Sequence, residues 1–192
     1  MNRQSSEAYR FKEEGNTAYK NKDYSKAIQL YTRAIDLNPN DSNFYSNRAL
    51  CYFNLENYFE CINDCDRAIQ LNPNFVKAYK KKASAYAYLL KFSEAVMTSK
   101  AALSQDKGNQ SLKNELEDFE SYESNYNRYM EADRKQDYSE ALSCVSYLLN
   151  KLPNSKVLKL YKIEALAKTG VTDEALTLLK SVQIQQIQIF PI

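Results

Sequence analysis

The strongest constraint on this chain's fold is a spacing: aromatic and small residues recur every 34 residues. With Gly15 set at position 8, residues 8–41 hold Phe11 at position 4, Tyr24 at 17, Ala27 at 20, Tyr31 at 24, Ala34 at 27 and Pro39 at 32. Residues 42–75 place Tyr45, Ala49, Tyr52, Tyr58, Cys61, Ala68 and Pro73 at positions 4, 8, 11, 17, 20, 27 and 32. Residues 76–109 put Tyr79, Ala83, Tyr86, Phe92, Ala95 and Ala102 in the same slots, with Lys107 in place of the proline. A fixed period of this length implies a stack of like units, each too small to bury its own apolar face.

Within each unit, positions 1–14 and 17–29 carry apolar residues at helical spacing. Small residues at positions 8, 20 and 27 let two antiparallel helices approach closely, and aromatics at 4, 11 and 17 fill the groove above them. The Asn-Pro at 31–32 stops the second helix, because proline disfavours helical geometry in the residue before it. Asp41 or Ser42 can then cap the next helix. Residues 110–121 fit no unit. After this 12-residue insert the phase returns, with Tyr138, Ala141 and Pro153 at positions 17, 20 and 32 of unit 122–155. Unit 156–189 matches more weakly, through Ala175 at 20 and Leu179 at 24. From Asn109 to Lys135 there is neither Gly nor Pro. One long helix is predicted there, closing the first three units and then serving as the first helix of the fourth. From Ser181 to Ile192 the helical periodicity is lost, and this end is read as a segment that packs over the last unit or docks a partner.

The pattern of small and aromatic positions resembles the tetratricopeptide repeat (TPR). The resemblance implies an all-α fold: a TPR α-solenoid of antiparallel helix pairs, with three repeats, a long connecting helix and two more repeats. Two modules are expected. Residues 1–121 contain repeats 8–41, 42–75 and 76–109 and the capping helix; residues 122–192 contain repeats 122–155 and 156–189.

Composition narrows the functional classes. The chain lacks histidine, which removes every triad, zinc site or proton relay built on imidazole. Three glycines leave little for a phosphate-cradling loop, so an enzyme is not expected. Cys51, Cys61, Cys65 and Cys144 have neither C-x-x-C nor disulfide-framework spacing. They are read as buried free thiols, with no metal site and no cofactor. Free thiols make a reducing, cytoplasmic setting the default, with a ciliary or other assembly-bound location as the alternative. With 26 basic against 24 acidic residues there is no global basic field, so nucleic acid is not the expected partner. No apolar run is long enough to span a bilayer, so no membrane partner is expected. The opening residues, polar and partly acidic, read as neither signal nor transit peptide.

The repeat register gives five polar residues a common face. Lys12 and Asn16 are positions 5 and 9 of the first helix, Asn47 is position 6 of the third, and Lys77 and Lys81 are positions 2 and 6 of the fifth. In the TPR arrangement that the resemblance implies, the first helices of stacked repeats line the concave side, so all five are expected to converge on one groove. Three ammonium groups and two carboxamides there offer charge-assisted donors for two carboxylates. No acid from the third or fifth helix is expected among them.

The stretches KEEGN (12–16), YSNRA (45–49) and KAYKKKA (77–83) resemble the dicarboxylate clamp of TPR co-chaperones. In that family the clamp holds the C-terminal EEVD tail of Hsp70 or Hsp90. By position, the resemblance assigns Lys12, Asn16 and Asn47 to the terminal carboxylate, and Lys77 and Lys81 to the last side-chain carboxylate and nearby carbonyls. The family usually has Arg where this chain has Lys81. A lysine lacks the planar fork, so binding is expected to be weaker or more permissive, by about 1 kcal/mol.

Leu50, Phe53 and Tyr88 fall on the same side and are candidates for an apolar pocket for upstream peptide residues. The layout is also similar to the TPR region of DnaJ-type co-chaperones, although a J domain needs a His-Pro-Asp motif that a chain without histidine cannot supply. The clamp slots of the second module hold Tyr126, Arg128, Met130 and Tyr161, so that face is expected to take a second protein or nothing. The residues leave one alternative open: a TPR scaffold subunit of a larger ciliary or organellar assembly, with a vestigial clamp.

Overall fold

The computed structural model describes the backbone of residues 3–187 and the side chains of residues 4–182. Among the described residues there are ten helices and no strands. They are α1 (Arg3–Lys20), α2 (Tyr24–Leu37), α3 (Ser42–Asn54), α4 (Tyr58–Leu71), α5 (Val76–Tyr88), α6 (Phe92–Gln105), α7 (Gln110–Arg134), α8 (Tyr138–Lys151), α9 (Lys156–Lys168) and α10 (Thr172–Ile187). The chain divides into two compact units between Phe119 and Glu120, inside α7.

In the first unit, α1 packs on α2, α3 on α4 and α5 on α6; each pair then packs on the next through α2–α3 and α4–α5, and α3 also touches α1 and α5. This is the stacking that isolated pairs need to cover their apolar faces. The small residues sit where helices cross: Ala27, Cys61 and Ala95 at position 20, and Ala34, Ala68 and Ala102 at position 27, are all fully buried. At position 8, Ala49 and Ala83 are fully buried as well. Gly15 completes that row because nothing larger fits: a Cβ built on it would lie 2.7 Å from Cε1 of Tyr31.

Helix boundaries follow local chemistry. Asp23 and Asp137 accept from the backbone N–H of Lys26 and Glu140, capping α2 and α8. Asp41 accepts from Asn43 N–H and caps α3. Within each repeat the turn between the two helices uses a left-handed residue. These are Lys22, Glu56, Leu90 and Gln136, with φ of 57–60°, and Gly170 at 82°. They fall 34 residues apart, with 12 more across the insert, so the backbone keeps the sequence register through all five repeats.

A buried ion pair ties three helices of the first unit together. Arg48 on α3 donates from Nε and Nη2 to both oxygens of Asp64 on α4, each at 2.8 Å, and from Nη1 to Thr32 Oγ1 on α2 at 2.9 Å. The bond to Asp64 holds the Arg48 guanidinium above its ordinary value. Burial pushes Asp64 up while Arg48 pulls it down. With fork-to-fork geometry at these distances, the pair is ionised on both sides.

The second unit packs α8 on α9 and α9 on α10. Tyr129 on α7 stacks on Tyr161 of α9, with ring centres 5.0 Å apart. The four cysteines are free and buried. Contrary to the loss of periodicity read from Ser181 onward, α10 stays helical to Ile187. A weak apolar pattern does not end a helix that lacks a breaker, and 181–187 contains neither Gly nor Pro. Residues 188–192 of that stretch lie outside the described residues.

Candidate functional site

The groove of the first unit is built from alternate helices. A cleft of about 420 Å³ is lined by Asn43, Ser46, Asn47 and Leu50 of α3, Lys77, Lys80, Lys81 and Ser84 of α5, Phe75 before α5, and Glu115 of α7. Three of the five clamp candidates, Asn47, Lys77 and Lys81, therefore line one cavity. Asn16 joins them from α1, since Asn47 Nδ2 donates to its Oδ1 at 3.3 Å.

Asn16 is held from behind. Tyr31 of α2 donates its hydroxyl to the same Oδ1 at 2.8 Å. Burial, the largest cause, drives the Tyr31 hydroxyl well above its ordinary pKa, so it stays a proton donor. With Oδ1 engaged twice, the Nδ2 of Asn16 is the end left to point outward, and it donates to Glu13 at 3.1 Å. The other oxygen of Glu13 lies 2.7 Å from Lys12 Nζ. The bonds from Lys12 and Asn16 hold the Glu13 carboxyl below its ordinary value. Lys12 also sits 5.4 Å over the ring of Tyr9, whose hydroxyl donates to Asp41. In the free protein Glu13 thus occupies the donors of Lys12 and Asn16. It is well exposed, so a ligand carboxylate can replace it at little cost.

Lys81 is placed differently from its neighbours. Its Nζ lies 3.9 Å over the ring of Phe53, and burial lowers its pKa. Phe53 meets Tyr58 and Tyr88 edge-on, and those two tyrosines stack 5.3 Å apart. Of the three apolar candidates, Leu50 lines the cleft, whereas Phe53 and Tyr88 form an aromatic seat under Lys81. Phe53 is nearly a full helical turn beyond Leu50 and packs into the core cluster with Tyr58 and Leu89.

Two contributors escaped the sequence reading. Tyr31 occupies position 24 of the repeat, where spacing says nothing of its hydroxyl, which acts on Asn16. Glu115 belongs to the insert, outside any repeat slot, and brings an acid to a cleft expected to be free of acids from α3 and α5. The corresponding slots of the second unit are occupied as follows. Arg128 pairs with Glu140, Met130 is exposed, and Tyr126 and Tyr161 flank Tyr129 in an aromatic stack.

An array of stacked helix pairs with a donor-rich inner groove defines a class, the helical repeat proteins. The family within that class follows from comparison. The family model described as "Serine/threonine-protein kinase BSK1-like, TPR repeats" matches residues 1–83. The chain is 31% identical over 170 residues to mouse (Mus musculus) DnaJ homolog subfamily C member 7, covering 88% of this chain and 34% of that protein. It therefore spans about a third of that relative's length.

Among solved structures, the first TPR of Spaghetti (RPAP3) bound to HSP90 peptide SRMEEVD is 33% identical, with a TM-score of 0.57, covering 60% of this chain and 92% of that one. The TPR2B domain of yeast Sti1 in its pHsp70 complex is 31% identical, with a TM-score of 0.57, covering 60% of this chain and 98% of that one. The chain belongs to the tetratricopeptide repeat family, and its relatives include the TPR domains of co-chaperones.

Proposed function

We propose that the groove of the first three repeats binds the C-terminal tail of an Hsp70 or Hsp90 chaperone through its carboxylates, making this chain a co-chaperone adaptor. The observation that carries the reading is the cleft lined by Asn47, Lys77 and Lys81, with Asn47 tied to Asn16 and Asn16 braced from behind by Tyr31. Lys12, Asn16 and Asn47 would hold the main-chain carboxylate, and Lys77 and Lys81 the carboxylate of the last side chain. The relatives crystallised or solved with an HSP90 peptide and with pHsp70 support this assignment by likeness of sequence and fold. The second unit exposes Met130, Val157 and Leu160, apolar groups suited to contact with a second protein rather than to carboxylate binding.

The test is titration with acetylated peptides ending in EEVD, alongside peptides amidated at the C-terminus. The free-acid peptides should bind tighter than about 1 mM, which corresponds to −4 kcal/mol, and amidation should cost most of the affinity. Lys77→Glu should abolish binding. Binding that ignores amidation would refute the proposal.

A further inference from the structure

Glu115 needs an explanation that the clamp does not provide. Its Oε2 lies 2.9 Å from Lys80 Nζ, and Lys80 also donates to Ser111 Oγ at 3.0 Å. Both partners of Lys80 stand on α7, so its ammonium is turned toward that helix and away from a ligand. Of the three lysines on the cleft wall, Lys77 and Lys81 remain for ligand carboxylates. The other oxygen of Glu115, Oε1, is shielded from solvent and has no hydrogen-bond partner. Lys80 offsets the carboxylate's charge on the Oε2 side, while Oε1 has neither solvent nor donor, so a residual negative field remains for a second acid brought near.

The position of Glu115 gives that field a target. The donors for a terminal carboxylate stand on α1 and α3, and those for the next carboxylate on α5. A bound tail therefore runs onward toward α7, where the residues upstream of its end would lie. We infer that Glu115 is a specificity-determining residue of this groove, disfavouring acidic residues upstream of a bound terminal aspartate and favouring neutral or cationic ones. The inference rests on the tail-binding reading above. Like-charge juxtaposition at an interface acts chiefly by rejecting wrong ligands. One carboxylate beside a basic clamp does this without weakening the donors that read the chain end.

A double-mutant cycle tests it. Wild type and Glu115→Gln are titrated with two acetylated peptides, one ending in EEVD and one ending in QQVD, with amidated EEVD as control. Glu115→Gln should raise affinity for the EEVD peptide at least about fivefold more than for the QQVD peptide, the scale of coupling between groups in one charge network. Glu115→Ser should give the same sign, which guards against an effect peculiar to the amide. Equal changes for both peptides, or weaker binding of both, would overturn the inference while leaving the clamp intact. If neither peptide binds wild type in an amidation-sensitive way, the tail-binding reading itself fails, and this inference with it.

Discussion

Replacing Gly15 by alanine couples the stability of the fold to the geometry of the groove. The new methyl would sit 2.7 Å from Tyr31 Cε1, 3.0 Å from Cδ1 and 3.1 Å from Cζ. Tyr31 is 2% exposed, so either the ring must move within the packed interior or α1 must shift. Overpacking of this kind costs about 1–3 kcal/mol. Moving the ring also disturbs its 2.8 Å hydrogen bond to Asn16, worth about 1 kcal/mol. Against this, alanine gains about 1 kcal/mol over glycine in a helix interior.

The net expectation for Gly15→Ala is a loss of about 1–3 kcal/mol, or roughly 2–4 °C in melting temperature for each kcal/mol in a chain of this size. Thermal melting followed by circular dichroism reads the stability, and peptide titration reads the groove. Tail affinity should fall as well, because Asn16 loses its rear anchor. Gly108→Ala is the control: nothing lies within 4 Å of its Cβ, so it should be neutral or slightly stabilising. If Gly15→Ala melts at or above wild type with unchanged peptide affinity, the argument from close packing is wrong.

Three further outcomes are expected. Tyr31→Phe should cost about 1 kcal/mol of stability and weaken tail binding measured by calorimetry, since Asn16 is then held only by Asn47. Arg48→Ala should destabilise by about 3–5 kcal/mol, because it strands the buried Asp64 carboxylate, and urea denaturation would measure this loss. Lys81→Arg should tighten tail binding by about 1 kcal/mol and change its pH dependence. Burial lowers the Lys81 pKa from its ordinary 10.5, so a ligand carboxylate that needs the ammonium loses it as pH rises through that lowered value. Folding disfavours the charged form, so the Lys81 contribution to stability instead improves over the same rise, up to the unfolded value. In Lys81→Arg the early fall in affinity should be absent in a titration series across alkaline pH.

Much of this architecture could be read from spacing alone. A 34-residue register assigns a face to each residue, so Asn47, Lys77 and Lys81, which line one cleft, could be placed on a common side without coordinates. The absence of Gly and Pro from Asn109 to Lys135 likewise announced α7, observed as Gln110–Arg134. What stayed hidden has physical reasons. A tyrosine in an aromatic slot gives no sign that its hydroxyl will find a partner fifteen residues back in the chain. Glu115 lies in the insert, where no register says which way a side chain faces. Spacing puts Phe53 and Tyr88 on the groove side, but it does not say that they meet edge-on, with Tyr58 beside them, beneath Lys81. A helix end marked only by fading periodicity, as after Ser181, is weak grounds for termination when no residue breaks the backbone.

The left-handed turn residues demand a sign of φ rather than a side chain. Four positions satisfy the demand with Lys, Glu, Leu and Gln, and the fifth with Gly. Chemistry is therefore nearly unconstrained there, while branching at Cβ is barred, since β-branched residues are genuine outliers at positive φ. A saturation mutagenesis scan scored for folding should reveal a ladder at residues 22, 56, 90, 136 and 170. At each rung valine, isoleucine and threonine are rejected, glycine and asparagine are welcomed, and charge or size alone decides little. Such a ladder would let the repeat boundaries be located from tolerance data alone, even in relatives whose aromatic slots have drifted beyond recognition.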